Sequence, residues 1–567
     1  MNNTFHILKR IIKDGKSYIP AFSLLGGIGL VLIPVEFYGL LLSKRLVDKG
    51  FLLQNWDTTK DILFILIILF MLRSLIRYGT SIFSNKVQFR INQTFQDELF
   101  SHILHLPVRF FTKEPTGKLM SRILDDATRF SSVFGILFGP ALLNPFKLLA
   151  LLGLLTYISS RMCVLMLFST IISLLIIEGM GRRLRIISKQ IQEQNATISS
   201  FIEQVFPNIE LVKCKTTEKE TAVTFRQLLE GLIQLSLKML RVRLISSPLL
   251  ECLKYLAVGG VFVYGSWLIS KGLLTIGALT TFLGATYLFF NTLSMLGQTY
   301  GLLREDLARM EIIYGILDSS PESLENISGN DVPSSIDSVE FKEVTFGYNP
   351  LRPVLIDVSC HISHAEFLAI TGQSGSGKTT LARLLLRFYE PDSGEIRLNG
   401  EPISQINLGA LRSSIGIVFQ ENLILDSTIK ENITYGNSGV SMSRIIAAAK
   451  ISQAHNFIKA FPDLYDTVVG EHGKNLSGGQ RQRIAIARAI LTDPQILILD
   501  EATSFIELRQ EEAILKRIKE SRCGKITLII SHRLSAIKMA ERILTLDNGR
   551  VLDTTDSQSL IGHVDYA

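Results

Sequence analysis

The sequence has few of the residues from which metal sites and disulfide frameworks are built. Five cysteines occur among its 567 residues, and none of them stands in a CxxC pair or near paired histidines. The net charge is only +7, and the lysines and arginines are spread along the whole chain. We therefore expect isolated reduced thiols without a metal site or a disulfide framework, and no nucleic-acid-binding surface.

Long hydrophobic runs, in contrast, are abundant before residue 300, in a chain that is long enough for two domains. Six stretches reach the length of about 20 residues that a helix needs to cross a bilayer. The first could also be a signal peptide, but it is too long for a signal-peptide core. No convincing cleavage site follows it, so we expect a retained membrane helix. The six stretches occupy residues 18–42, 61–83, 133–159, 162–179, 247–270 and 275–297.

Two long polar connections, at about 84–132 and 180–246, separate pairs of these apolar stretches. Their helical pattern is too polar for lipid, so the spanning helices are expected to continue beyond the membrane as amphipathic rods. Basic residues such as Lys86, Arg90 and Arg183 belong to these connections. By the positive-inside rule their side of the membrane is cytoplasmic, and an even number of crossings places the C-terminal half there too.

Several ionisable residues interrupt the apolar stretches. Arg73 and Arg77 share one helix face because they are four residues apart, and Lys147 lies in the third stretch. Charges at this depth are costly and usually face protein or a water-filled cavity. Two interpretations stay open. The three cations could pair with carboxylates such as Glu36 and Glu251, or they could line a substrate cavity.

From about residue 339 the pattern changes to short apolar strands alternating with helices, which is typical of an α/β nucleotide-binding domain. Residues 366–370 are predicted to form a strand that ends in a glycine-rich loop, and a helix is predicted from about 378 to 388. Such a loop surrounds phosphates with backbone N–H groups; its lysine reaches the β- and γ-phosphates and its threonine can ligate Mg²⁺. An isolated match could be accidental, but the strand–loop–helix context argues against this. The predicted ATP-binding residues are Gly372, Ser374, Gly375, Ser376, Gly377, Lys378, Thr379 and Thr380.

Acidic residues and a histidine stand where two further strands are predicted to end. Residues 496–499 are followed by Asp500 and Glu501, and residues 527–530 lead to His532. Because ligands of open α/β sheets bind at the carboxyl ends of strands, we expect these side chains to converge on the glycine-rich loop. Asp500 would then bind Mg²⁺, together with Thr379, and Glu501 would orient or deprotonate the attacking water.

A second anion site is predicted at the start of a helix over residues 481–491. A serine and two glycines at a helix N-terminus favour an anion. The glycine-rich loop already has its own helix N-terminus, so this second one would serve ATP bound to another copy of the domain. A serine helix cap without a ligand would explain these residues alone, but not the whole set of motifs. The predicted contacts are Ser477, Gly478, Gly479 and Gln480.

These motifs, in this order behind a membrane half, indicate a protein that uses ATP to move a substrate across a bilayer. Over essentially its whole length the chain resembles a half-size ABC exporter of the MsbA-like and bacterial multidrug type. The resemblance implies that Tyr348 stacks on adenine and that Gln420 senses Mg²⁺. It also implies that Glu501 and His532 are the catalytic glutamate and the switch histidine. Turns that couple the ATP sites to transport are implied at residues 112–118 and about 209–217, and residues 467–473 resemble the loop that contacts the intracellular loops.

The sequence departs from this family after Glu501. The usual Ala-Leu-Asp is replaced by Phe505-Ile506-Glu507 in a segment that normally crosses the dimer interface. This puts its usual contacts in doubt. The catalytic glutamate, the signature residues and the switch histidine are all present. The resemblance therefore implies a homodimer with two competent sites, and one half of a heterodimer is the alternative.

The expected fold is an α-helical membrane domain of six transmembrane helices with long intracellular extensions over residues 1–320. A linker over 321–338 and an α/β P-loop ABC ATPase domain over 339–567 are expected to follow it. An importer would keep its two parts on separate chains, and a soluble ABC ATPase would lack the spans. The expected substrate is an amphipathic lipid, lipid-linked molecule or drug that is moved across the cytoplasmic membrane. A peptide or another small metabolite is the alternative.

Overall fold

The computed structural model describes residues 2–322, 332–333, 335–349, 351–421, 423–437, 439–470 and 473–556. Its contacts divide the chain into two compact units. The first unit comprises Met1–Phe100 and Met120–Asp318, and the second comprises Ser101–Leu119 and Ser319–Ala567. The domain boundaries expected from the sequence stay a prediction. Residues 323–331 and 334 of the expected linker, and 557–567 of the expected ATPase domain, lie outside the described residues.

The N-terminal part of the chain is helical, and several of its helices are much longer than a bilayer is thick. Helices of 42–53 residues extend roughly 60–80 Å, against about 30 Å for the hydrocarbon core. Helices of this length agree with the predicted extensions beyond the membrane, which stay a prediction. The helices are α1 Asn2–Asp14, α2 Ile19–Arg45, α3 Trp56–Leu104, α4 Val108–Lys113, α5 Thr116–Leu124, α6 Arg129–Phe138, α7 Pro140–Ile158, α8 Ser160–Val205, α9 Ile209–Cys214, α10 Glu218–Ser270 and α11 Ile276–Leu317.

Four helical segments, among the residues whose side chains are described, are long and apolar enough to cross a membrane. They contain the first and second predicted spans and all but one terminal residue of the third and of the sixth. Helices α8 and α10 carry shorter apolar stretches, Ser160–Ile172 and Tyr255–Ser270, where the fourth and fifth spans are predicted. Some side chains in those two spans lie outside the description, so these two spans stay predictions. The four segments are Lys16–Phe51, Trp56–Leu104, Thr116–Ile158 and Ile276–Leu317.

The third predicted span is not one continuous helix. It is divided between α6 and α7 at Gly139, whose backbone is non-helical. Pro140 begins α7; a proline has no N–H to donate and disfavours the helical conformation in the residue before it. Elsewhere in the first unit, the apolar faces of the long helices pack into a core around Leu151, Leu155 and Phe282.

The second unit is α/β and contains two sheets. An antiparallel sheet has the strand order β2-β1-β4-β5, and a larger sheet has the order β10-β9-β3-β8-β7-β6, parallel except for β10. The strands are β1 Ser338–Phe346, β2 Leu355–Ser363, β3 Phe367–Gly372, β4 Ser393–Leu398, β5 Glu401–Pro402, β6 Ile415–Val418, β7 Ile496–Asp500, β8 Ile526–Ile530, β9 Arg542–Asp547 and β10 Arg550–Asp556. The helices are α12 Lys378–Leu385, α13 Leu408–Ser414, α14 Ile429–Thr434, α15 Met442–Ile451, α16 His455–Ile458, α17 Gly478–Leu491, α18 Leu508–Ser521 and α19 Leu534–Met539.

The uninterrupted apolar run of β7 is explained by burial of both faces of the larger sheet. Ile496 and Ile498 pack into one core, whereas Leu497 and Leu499 pack into another on the opposite face. A strand covered on both sides has no solvent-facing positions, so it shows no alternation. An α-helical membrane domain fused to an α/β ATPase domain is thus the observed fold class, as expected. Two predicted helices differ in their bounds: α12 ends at Leu385 instead of 388, and α17 begins at Gly478 instead of 481.

Candidate ATP site and membrane cavity

The glycine-rich loop joins β3 to α12 in a conformation that only glycine adopts without strain. Gly372 and Gly377 have φ angles of 141° and 104°, and a Cβ at position 372 would collide with the carbonyl oxygen of Leu546. The ammonium group of Lys378 donates hydrogen bonds to the carbonyl oxygens of Gly372 (2.8 Å) and Gln373 (2.7 Å). The lysine therefore spans the loop into which phosphates would fit. Helix α12 ends early because Arg387 turns into the left-handed region, at a φ of 50°.

Asp500 and Ser376 carry buried polar atoms that lack hydrogen-bond partners among the residues that the structure describes. The Asp500 side chain is 1% exposed, and neither its carboxylate oxygens nor the Ser376 hydroxyl has a hydrogen bond of normal geometry. Burial raises the pKa of Asp500, and the nearby Thr379 hydroxyl, together with Arg383 and Lys378, opposes this shift only in part. A buried, unpartnered carboxylate beside a threonine hydroxyl suits a hard divalent cation. No cluster of three or more His, Cys, Asp or Glu side chains with metal-binding geometry occurs in the described part of the chain.

Glu501 and His532 lie together at the carboxyl end of the sheet, as the strand argument predicted, and Gln420, which only the family resemblance indicated, lies beside them. The amide of Gln420 donates to Oε2 of Glu501 at 2.9 Å. The Nδ1 atom of His532 lies 3.8 Å from the other carboxylate oxygen. The backbone of Glu501 has a φ of 47°, and its N–H donates to the carbonyl of Ile530 on β8. Two neighbouring strands therefore fix the carboxylate between the glutamine and the histidine, while the roles of the three residues stay predictions.

Tyr348 follows β1 and is fixed in orientation by two other aromatic rings. Phe346 and Tyr389 contact it edge to face, with centroids 5.2 and 5.1 Å away. Its hydroxyl accepts a hydrogen bond from Arg383 at 3.0 Å and lies 3.3 Å from the hydroxyl of Thr380. The ring is 40% exposed, and it lines a cavity of about 460 Å³ in the second unit. The sequence did not single out Tyr389 or Arg383, because no motif marks them.

The predicted signature residues form a reciprocal helix cap. The Ser477 hydroxyl accepts from the N–H of Gln480, and the Gln480 side chain accepts from the N–H of Ser477 at 2.8 Å. This cap starts α17 at Gly478, three residues before the predicted start. Phe505 lies against both glycines: a Cβ added at 478 would be 3.2 Å from Phe505 Cγ, and one at 479 would be 2.8 Å from its carbonyl oxygen.

Gln482 connects α17 to the segment after Glu501, and no sequence motif singled it out. It is fully buried. Its amide donates to the Ser504 hydroxyl at 2.9 Å and to the Glu501 carbonyl at 3.3 Å, and its oxygen accepts from the N–H of Phe505 at 2.9 Å. In the sequence, Gln482 is marked only as a polar residue on the apolar face of the predicted helix, one turn before Ile486.

A second buried group holds the same segment from the other side. The carboxylate of Glu511, which is fully buried, accepts from Thr503 (2.6 Å), Ser535 (2.9 Å) and Arg533 (2.9 Å). Arg533, next to His532, also donates to the carbonyls of Ser504 and Ile506. Residues 503–506 are thus fixed on one side to α17, through Gln482, and on the other to the segment after β8, through Arg533.

The three membrane cations line a cavity of about 690 Å³ in the first unit. The same oxygen of Glu36 accepts from Lys147 at 2.8 Å and lies 3.1 Å from a nitrogen of Arg73. Within the described part of the chain, Arg77 has no ion pair or side-chain hydrogen bond, and Glu251 pairs with none of the three cations. One carboxylate therefore faces three positive charges. The cavity also presents a buried amide nitrogen of Asn144 that has no hydrogen-bond partner among the described side chains and backbone groups.

Comparisons with known proteins agree with this architecture. Residues 19–293 match the family model of the ABC transporter transmembrane region, and residues 355–504 match that of the ABC transporter. The chain is 30% identical, over 99% of its length and 93% of the relative's, to the ATP-dependent lipid A-core flippase of Syntrophus aciditrophicus (strain SB). It is 31% identical, over 98% and 94%, to that of Legionella pneumophila (strain Paris). A bacterial Atm1-family ABC exporter with ATP bound is similar in structure, with a TM-score of 0.79 and 25% identity over 97% of this chain and 96% of that one.

Proposed function

Since the chain belongs to the ABC transporter family and is an ATP-driven exporter, we propose that its substrate is an amphiphile with an anionic head group, most simply a lipid. The single observation that carries this proposal is the charge balance of the membrane cavity. Three cations and one carboxylate line it. A central Arg or Lys costs about 2.5–3.5 kcal/mol on insertion scales, so each one needs a partner or water.

The Glu36 carboxylate satisfies Arg73 and Lys147 but leaves two positive charges in excess. An anionic head group that entered the cavity would complete this balance. Arg77 is the group most available to it, because its guanidinium binds phosphate or carboxylate through two parallel hydrogen bonds. The relatives named lipid A-core flippases favour a lipid over a peptide or a small metabolite. The other interpretation is that all three cations pair with protein carboxylates. The observed contacts support it for Arg73 and Lys147 but not for Arg77.

The working unit that we propose is a homodimer in the cytoplasmic membrane with its ATPase units in the cytoplasm. Each ATP would lie between the glycine-rich loop of one copy and the start of α17 in the other. Ser477 and the two glycines after it present helix N–H groups to an anion. One copy has the glutamate, the histidine and the signature residues, so two identical copies would form two competent sites. A heterodimer is the alternative.

In hydrolysis, Lys378 would exchange its two carbonyl partners for the β- and γ-phosphates of ATP. Asp500 and Thr379 would hold Mg²⁺, which supplies charge neutralisation of the phosphates when bound. Glu501 would orient the attacking water and accept its proton, while Gln420 and His532 keep the carboxylate in position. Tyr348 would stack on the adenine.

The charge-selective cavity is tested by Arg77→Gln in full-length protein in nanodiscs. ATPase stimulation is titrated with phosphatidylglycerol, phosphatidylcholine and a cationic amphiphile. Loss of one charge-assisted hydrogen bond, worth about 1.5–3 kcal/mol, should raise the half-maximal phosphatidylglycerol concentration at least tenfold. Basal ATPase and the other two responses should stay unchanged. Arg90→Gln, an exposed position on the same helix outside the cavity lining, is the matched control. Equal weakening of all three responses would contradict a charge-selective cavity.

A further inference from the structure

Three separate segments of the second unit meet at one residue, Glu322, through its backbone N–H and its carboxylate. Its backbone N–H donates to the carbonyl oxygen of His105 at 2.6 Å. Its two carboxylate oxygens accept from the two terminal nitrogens of Arg412, each at 2.8 Å. The two side chains are only 19% and 22% exposed, so water screens this bidentate pair weakly. Glu322 thus links the segment after α3 to helix α13.

Arg412 is held equally firmly on its other side. It donates to the carbonyl oxygens of Leu386 and Arg387 at 3.1 and 3.2 Å. Its guanidinium lies 5.0 Å from the ring centroid of Phe388. Leu386 directly follows α12, the helix that starts at Lys378 of the glycine-rich loop. The guanidinium is therefore fixed by the residues that directly follow the C-terminus of α12. Its planar group can then face the Glu322 carboxylate in only one orientation.

The same carboxylate borders the cavity in which the adenine of ATP is proposed to stack. The walls of this cavity include Pro107 and Arg109 from the segment after α3, Glu322, and the rings of Tyr348 and Tyr389. A base bound on Tyr348 and the residues around position 107 would thus share one cavity. Glu322 belongs to the lining of this cavity and is hydrogen-bonded both to His105, which follows α3, and to Arg412 on α13.

We propose that Glu322 and Arg412 are positioning residues that hold residues 105–109 against the base side of the ATP site, so that nucleotide binding orders this segment. The pair lies outside the set of residues proposed to bind the phosphates, Mg²⁺ and the attacking water. The inference deepens the proposed ATP site but does not depend on the substrate. A pair that merely contributed stability would leave the effect of nucleotide on this segment intact.

The test is hydrogen exchange of full-length protein in nanodiscs, with and without a non-hydrolysable ATP analogue. In the unmodified protein, the analogue should slow exchange in a peptide covering residues 101–119 and in one covering 372–385. In Glu322→Gln and in Arg412→Lys, which keeps the charge but loses the fork, the slowing at 101–119 should shrink by about tenfold, as expected when a charge-assisted hydrogen bond is lost. The slowing at 372–385 should remain. Glu390→Gln, a rim residue 77% exposed with only a 3.8 Å ion pair, is the control.

Each other outcome contradicts the proposal. If the analogue slows exchange at 101–119 equally in the variants, the pair does not position that segment. If both peptides lose their response to the analogue, the pair is needed for ATP binding as a whole and not for positioning residues 105–109. If 101–119 never responds in the unmodified protein, nucleotide does not order it. None of these readouts requires a transported lipid, so a wrong substrate assignment would not change the result.

Discussion

Replacing Glu36 with glutamine separates a structural role of the membrane cations from a substrate-binding one. One carboxylate oxygen of Glu36 serves both Lys147 and Arg73, at 2.8 and 3.1 Å, and the side chain is only 14% exposed. Glutamine keeps the shape of the side chain and removes its charge. Both cations would then face the cavity without a counter-ion, and the excess positive charge would rise from two to three.

The expected cost in stability is moderate. Removing one partner from a buried ion pair costs about 3–5 kcal/mol. Here the cations are 27% and 20% exposed, so water in the cavity screens part of the loss and we expect about 2 kcal/mol. At roughly 2–4 °C per kcal/mol for a domain of this order of size, the apparent melting temperature should fall by about 4–8 °C.

Affinity for an anionic head group should change in the opposite direction. A cation released from Glu36 can donate one further charge-assisted hydrogen bond, worth about 1.5 kcal/mol, which corresponds to roughly a tenfold lower half-maximal concentration. The assay is ATPase stimulation by phosphatidylglycerol against phosphatidylcholine in nanodiscs, with thermal unfolding measured on the same samples. Glu251→Gln, an exposed carboxylate on α10 that pairs with none of the cavity cations, is the control. A weaker response to phosphatidylglycerol in the folded variant would refute the reasoning.

Two further predictions concern the ATP site. Glu501→Gln should bind ATP normally but hydrolyse it at least about 100-fold more slowly, since a general base contributes a factor of roughly 10²–10⁴ to the rate. Closed dimers should accumulate with ATP and be visible on size-exclusion chromatography. Near-normal turnover would exclude Glu501 as the catalytic residue. Combined Phe505→Ala and Glu507→Asp should change basal ATPase or its stimulation by lipid at least about twofold, because Phe505 lies against Gly478 and Gly479, the predicted ATP contacts. The melting temperature should change little, since the Phe505 side chain is 69% exposed. Unchanged kinetics in both assays would show that the departure from the family pattern is silent.

The sequence by itself was sufficient wherever the chemistry depends on residues close together in the chain. The glycine-rich loop between β3 and α12 and the acids after β7 are local patterns. Glycine spacing sets the loop conformation, and an apolar run with acids at its end sets the strand and its exit. Hydrophobic length likewise indicated the membrane segments, because the thickness of a bilayer fixes the number of residues that cross it.

Only the tertiary structure decided which polar groups meet. Glu36 is 111 residues from Lys147, and Glu322 is 90 residues from Arg412, yet each pair is joined at 2.8 Å. Gln482 and Glu511 look like ordinary polar positions in α17 and α18, yet both are buried and hold the segment after Glu501. Periodicity shows which face of a helix is buried, but it carries no information on the partner across the contact. That partner is selected by the packing of whole helices and sheets, because a buried charge or amide is stable only where the fold brings a complementary group within hydrogen-bond distance.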